Sequence, residues 1–285
     1  MELLPTISPA ESSCLAHILT EKANVYEPGK NFLLDLLSEV TPLELPWVAL
    51  YWIFTTLLLI MLVVVTVVRF PKIELKDDER AGSANSYYSL FRKGYVWIYF
   101  VGIFCYVGTE QSVSIFMSTF LEQYHNVDPQ TIGTQCISYF WGSMTIGCLI
   151  GMFLMKLIDC RKLLRISGLL SIFLMLAAVF GPKSVSMFAF PAIGFFISMM
   201  YSIVFSLALN TASQNHGSFA GILCSGIVGG AAGPLIVSVV ADATSLRTGM
   251  MVVVLFMAFV TFIGFWAHPL INNKTVSLKE LLKLK

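Results

Sequence analysis

The sequence predicts an all-α polytopic membrane protein, a six-helix bundle preceded by one further transmembrane helix. Three observations carry that fold class. The 285-residue chain is 56% hydrophobic and only 12% charged, half the roughly 25% charge of a soluble domain, and its mean hydropathy is +0.78. Apolar runs of about 20 residues, enough to cross a bilayer core, recur seven times, at 46–69, 95–120, 134–157, 163–182, 185–209, 217–241 and 248–270. No stretch alternates apolar and polar side chains over the ~10 positions of a membrane-barrel strand.

The elements follow in order. Residues 1–45 carry seven acids against two bases, which suits an external segment, and NFLLDLLSEV (31–40) reads as a short amphipathic helix on the surface. No basic region precedes an apolar core there, so a signal peptide is not expected. The leading span, 46–69, is followed by 70–94, which opens on Pro71, is dense in charge and then turns rich in Gly, Ser and Asn: the composition of a cytoplasmic linker. Short connections make the six helices of 95–270 antiparallel neighbours. Residues 271–285 form a tail. Lys and Arg mark the inner side of a membrane. Fourteen of the 18 basic residues fall in 69–93, 156–165 and 274–285, against Lys22, Lys30, Lys183 and Arg247 on the other side. The C-terminus is therefore expected in the cytoplasm of a cell (inner or plasma) membrane.

Composition also excludes. A net charge of +1 gives no reason to expect nucleic acid. The six cysteines lack CxxC or metal-ligand spacing, and those in apolar runs read as small core residues. No HExxH, GxSxG or P-loop pattern is present, and His17, His125, His216 and His268 are scattered. An enzyme, a metal site and a bound cofactor are not expected.

One residue breaks the apolar pattern. Of 17 acids, only Glu110 lies well inside a span, in CYVGTEQSVSIF (105–116). A charge at mid-membrane costs about 2.5–3.5 kcal/mol on insertion scales, so such residues border a cavity or a partner. Glu110 is thus the candidate for proton coupling, and with Gln111 for ligand binding; the competing reading is a structural carboxylate bonded to a neighbouring helix. Tyr139 and Trp141 in the third span, and Tyr201 and Asn210 in the fifth, supply the hydroxyl, amide and aromatic groups that a neutral polyol or sugar needs. Each taken alone reads equally as packing or capping.

Glycine gathers in the third and sixth helices, with small-xxx-small spacing at 147/151, 217/221, 226/230 and 229/233, which permits close helix approach. GIVGGAAGP (226–234) ends in a proline and weakens its helix, as binding or moving parts of transporters often do.

Taken together, YVGTE (106–110), YFWGSMTIGCLIG (139–151), YSIVFSLALN (201–210) and GIVGGAAGPLIVSVVAD (226–242) resemble the fucose–galactose–glucose proton symporters (fucose permease family) of the major facilitator superfamily. The turn 151–164 is similar to the superfamily's cytoplasmic loop motif, with Cys160 where glycine is usual, and Ser202 stands where the family often has proline. The resemblance, over about 90–270, implies the C-terminal half of a twelve-helix sugar transporter plus one helix. It implies a monosaccharide such as fucose, galactose or glucose as substrate, the proton as coupling ion, and a cavity lined by the second, third, fifth and sixth spans. About five helices of the expected N-terminal half are lacking, so it also implies a piece of a longer protein, or a half that is inactive or dependent on a second chain. A seven-helix receptor fits the topology alone. A retinal protein would need a lysine in 248–270, and none is there.

Overall fold

The computed structural model describes residues 48–68 and 84–270. The external segment, the surface helix at 31–40 and the tail expected from the sequence lie outside the described residues. The chain divides into two compact units, Met1–Glu74 with Pro129–Gln135, and Leu75–Asp128 with Cys136–Lys285.

In the first unit, helix α1 (Val48–Val67) is 20 residues of almost unbroken apolar sequence. Its exceptions are satisfied locally. Thr55, Thr56 and Thr66 donate their hydroxyls to the carbonyls of Tyr51, Trp52 and Val63 at 2.8–2.9 Å, the only economical course for a hydroxyl in lipid. Pro129–Gly133 of the same unit forms a π-helical turn.

The second unit opens with a helix where only linker was expected. Helix α2 (Ala84–Phe91) is amphipathic and buries Leu90 completely. Its last turn is closed by Trp97, whose indole N–H donates to the Phe91 carbonyl at 2.9 Å, answering one of the acceptors that every helix end leaves open. The spans follow as α3 (Gly94–His125), α4 (Thr134–Leu157), α5 (Cys160–Phe180), α6 (Lys183–Ile197) with α7 (Met200–Thr211), α8 (His216–Ser225) with α9 (Gly229–Ala243), and α10 (Leu246–Trp266). Six spans are long and apolar enough to cross a membrane, alongside the apolar α1. The architecture is all-helical and polytopic, as the sequence predicts.

Two spans read as single runs are broken. The fifth turns at Ser198–Met199 between α6 and α7, and the sixth passes through a 3-10 turn at Gly226–Val228 between α8 and α9. The glycine run announces the second break; the first has no such signal.

Helix α3 is the axis of the unit. Its contacts fix the register: Tyr99 meets Trp266, Gly102 meets Ile263 and Phe104 meets Phe256, so α10 runs antiparallel to it. Tyr99, Tyr106 and Phe120 meet Thr211, Tyr201 and Phe190, so the α6–α7 span is antiparallel as well. Helix α9 lies along it in parallel, backbone against backbone. A Cβ on Gly229 would overlap the Phe104 carbonyl, and one on Gly233 would sit 2.5 Å from the Cα of Gly108. Gly226 and Gly230 pack on Ile103 and Val107 in the same way. The small-xxx-small spacing of 226/230 and 229/233 is therefore the α3–α9 contact itself. Gly221 faces Tyr87 of α2 instead.

A side chain at this crossing must push the helices apart, and overpacking of this kind costs about 1–3 kcal/mol or more. Gly233→Leu is therefore expected to lower the thermal midpoint of the detergent-solubilised chain by several degrees, with Gly142→Leu, where a Cβ meets nothing within 4 Å, as the tolerant control. Equal midpoints for the two variants would show that the crossing is not close-packed.

Candidate functional site

Glu110 sits at the midpoint of α3, about 24 Å along it from Gly94 at 1.5 Å per residue. It is half-buried rather than sealed. One helical turn earlier, the Tyr106 hydroxyl lies within electrostatic reach of its carboxylate, the (i, i+4) geometry of neighbours on one helix face. Tyr106 is itself buried, and its ring meets that of Tyr201, the second residue of α7, at 5.7 Å and 54°. Tyr201 stacks on Phe205 one turn on, at 5.9 Å and 21°. A carboxylate, two phenols and a phenyl ring thus form one line from mid-membrane into the face of α7.

That line ends in an open cleft of about 660 Å³. Tyr201, Ser202, Phe205, Ser206, Asn210 and His216 line it, presenting hydroxyls and an amide beside aromatic faces. The floor is held at its far end by hydrogen bonds around the α7 terminus: Tyr99 to Thr211 at 2.9 Å, and the Leu270 N–H to the Asn210 carbonyl at 3.1 Å.

The other residues singled out in the sequence divide. Gln111 rests its stem on Gly230 of α9, so the glycine contact also seats this amide. Trp141 reaches α3 directly, its indole N–H donating to Ser114 at 3.2 Å. Tyr139 does not join them. Two residues apart means about 200° around a helix, so Tyr139 and Trp141 cannot face one cavity. Tyr139 is 64% exposed, in a separate groove between α4 and α6. Ser112 is buried on the far side of α3 from Glu110.

Sequence reasoning missed three contributors. Tyr106 and Phe205 were legible as (i, i+4) partners of Glu110 and Tyr201. His216, read as scattered, lines the cleft because the α7–α8 turn returns it beside Asn210. The cysteines correct an expectation: Cys105, Cys136 and Cys160 are buried, but Cys148 and Cys224 are exposed. Cys148 lies within electrostatic reach of Tyr106, and Cys224 of Tyr201. They mark the flanks of the aromatic pair on α4 and α8.

Among the described residues no group of three or more His, Cys, Asp or Glu side chains could hold a metal ion. The arrangement offers hydrogen bonds, stacking surfaces and one acid, groups that suit a bound polar solute.

The sequence profile of the Major Facilitator Superfamily matches residues 31–226. The glucose/galactose transporter of Brucella abortus (biovar 1, strain 9-941) is 31% identical over 233 residues, which is 80% of this chain and 54% of that protein. The chain thus spans about half the length of the curated relatives it matches. Among solved structures, the fucose:proton symporter of Escherichia coli superposes with a TM-score of 0.68 at 18% identity, over 88% of this chain and 65% of that one. A major facilitator transporter in its outward conformation gives 0.67. At that identity the likeness is one of fold.

Removing the Tyr106 hydroxyl tests the first link of the line. Tyr106→Phe keeps the ring against Tyr201 but takes away the hydroxyl beside the carboxyl, and the Glu110 carboxyl band in difference infrared spectra is expected to move. A band unmoved by Tyr106→Phe and absent in Glu110→Gln would show that the two groups do not interact.

Proposed function

Because the chain belongs to the major facilitator superfamily, whose members are membrane transporters and not enzymes, we propose that it is the C-terminal half of a secondary transporter that carries a monosaccharide together with a proton. The observation that supports this most is the line Glu110–Tyr106–Tyr201–Phe205 opening into the hydroxyl- and amide-lined cleft. A pyranose has a C–H face and a hydroxyl rim. Tyr201 and Phe205 suit the face; Ser202, Ser206 and Asn210 suit the rim. The chain's likeness to a glucose/galactose transporter and to a fucose:proton symporter favours glucose, galactose or fucose as the substrate.

Glu110 carries the coupling in this reading. When charged it is costly at this depth, and when protonated and hydrogen-bonded it is far cheaper to enclose. Proton uptake thus lowers the barrier to closing the site over the bound sugar, and release on the other side resets it. Alternating access of this kind rocks two repeats around a site at the membrane midplane. The functional transporter therefore comprises this bundle and a second one, from the same polypeptide or from another chain. The clustered basic residues favour a cytoplasmic C-terminus in a cell membrane in this reading.

Uptake by proteoliposomes containing the complete transporter checks the coupling. An inward proton gradient is expected to accelerate galactose entry, and Glu110→Gln to abolish that acceleration while sparing galactose exchange without a gradient. Retained acceleration in Glu110→Gln would return Glu110 to a structural role.

The aromatic contribution is separable. Tyr201→Phe removes one hydrogen bond, worth about 1 kcal/mol or roughly a fivefold weakening of sugar affinity. Tyr201→Ala also removes the stacking surface, and is expected to weaken binding further in equilibrium fluorescence titrations.

A further inference from the structure

Tyr139 and its groove take no part in the reading above. The groove lies between α4 and α6, holds about 780 Å³, and is walled by Tyr139, Gly142, Ile146, Met187, Phe188 and Pro191. Its lining is largely apolar, yet the hydroxyls of Ser138, Tyr139 and Ser184 sit on its rim, near the N-terminal ends of α4 and α6.

Its relation to the cleft at Tyr201 follows from helical phase. Ser198 and Met199, where the fifth span breaks, keep right-handed helical angles (φ −51°, ψ −37° and φ −91°, ψ −10°). The residue-by-residue rotation therefore carries through. Burial confirms it: Ser186, Ile193, Ile197, Met200, Val204 and Leu207 form one buried stripe across the break. On the opposite side, Ser184, Phe188 and Pro191 share a stripe with Ser202, Ser206 and Leu209. The first three line the groove and the last three the cleft. From Ser184 to Leu209 is about 37 Å at helical rise, the thickness of a bilayer core and more.

The two hollows thus stand end to end along one side of one span. They are divided where α4 crosses it. A Cβ on Gly147 would overlap the Ser198 hydroxyl and approach the Phe195 carbonyl, one on Gly151 would press on Met199 at 3.0 Å, and the Cys148 thiol donates to the Ser198 carbonyl at 3.5 Å.

The geometry points to a second, outer binding site for the same sugar in the α4–α6 groove, separated from the Tyr201 site by the α4 crossing. This rests on the transport reading above. The chemistry repeats that of the inner cleft in weaker form: Tyr139 and Phe188, 64% and 73% exposed, offer aromatic faces to the C–H surface of a pyranose, and the rim hydroxyls meet its edge. Fewer polar groups converge here than at Tyr201, so the outer site binds more loosely and hands its ligand inward when α4 shifts.

Thiol protection distinguishes the two sites. The complete transporter carrying Met187→Cys, in nanodiscs, is treated with a small maleimide in the presence of galactose or of L-glucose, and labelling is read thiol by thiol from peptide masses. Native Cys224, beside Tyr201, reports the inner cleft, and the introduced thiol reports the groove. Galactose is expected to slow both at least threefold, the groove thiol at higher sugar concentration, and adding Tyr139→Ala is expected to remove protection in the groove alone. Protection of Cys224 without protection at 187 overturns the outer site and leaves the transport reading standing. Protection at neither overturns both. A groove thiol that labels in detergent but not in nanodiscs shows acyl chains filling the groove and also overturns the proposal. Phe188→Cys serves as the reporter should Met187→Cys fail to fold.

Discussion

The packing of this bundle rests on the absence of side chains where α3 meets α9. Gly108, Gly229 and Gly233 let two backbones touch at the depth where a carboxylate must be held. Without a hydrophobic drive between helices in lipid, dispersion contact at such short range is what the membrane leaves available. The consequence for function is direct. Gln111 is seated on Gly230 by this contact, and Glu110, the next residue round the helix, is turned towards Tyr106 and the open side instead.

A second constraint is the fate of backbone carbonyls where helices break. Pro191 has no N–H to give, which frees the Met187 carbonyl one turn earlier. The Cys136 thiol of α4 lies 3.9 Å from it, and the Ser143 hydroxyl donates at 2.6 Å to the carbonyl of Pro191 itself. Cys148 does the same for Ser198 at the α6–α7 turn. Three small polar side chains of α4 thus answer acceptors along the fifth span. Thiols suit this role because they are small, apolar enough for a membrane interior and still able to donate weakly.

Much of the fold was legible because lipid imposes so few solutions. Length and hydropathy alone find the six long spans and the apolar α1, and the glycine spacing names the contact surface of α9. The α2 helix was hidden because ANSYYSLF is short and its amphipathic face finds a partner only in the folded bundle, where Leu90 is enclosed. The break at Ser198 was hidden for a related reason: the carbonyls it frees are answered by side chains 50 residues away in sequence. At the candidate site, Glu110 was singled out by its cost and Tyr201 by its chemistry. Tyr139 and Trp141 were grouped although their spacing already placed them on opposite sides of α4. Cys148 and Cys224 were assigned to the core by composition, which carries no information about which face of a helix a thiol occupies.

Helix α4 differs from the other spans in a way that bears on how the site works. Only 22% of its most apolar window is buried, against 56% for α3. Its attachment to the fifth span relies on two glycines and a few hydrogen bonds rather than on interlocking side chains. Contacts of that kind are specific in register yet cheap to release, because little apolar area is exchanged when they slide. Helix α3, by contrast, is locked by packing to α6, α7, α9 and α10. The carboxylate therefore sits on the most heavily packed element, and the partition between the two hollows on the most lightly buried of the six long spans. Under the proposed transport reading, a proton-dependent change at Glu110 would alter the energy of closing the site without disturbing the helix that carries it.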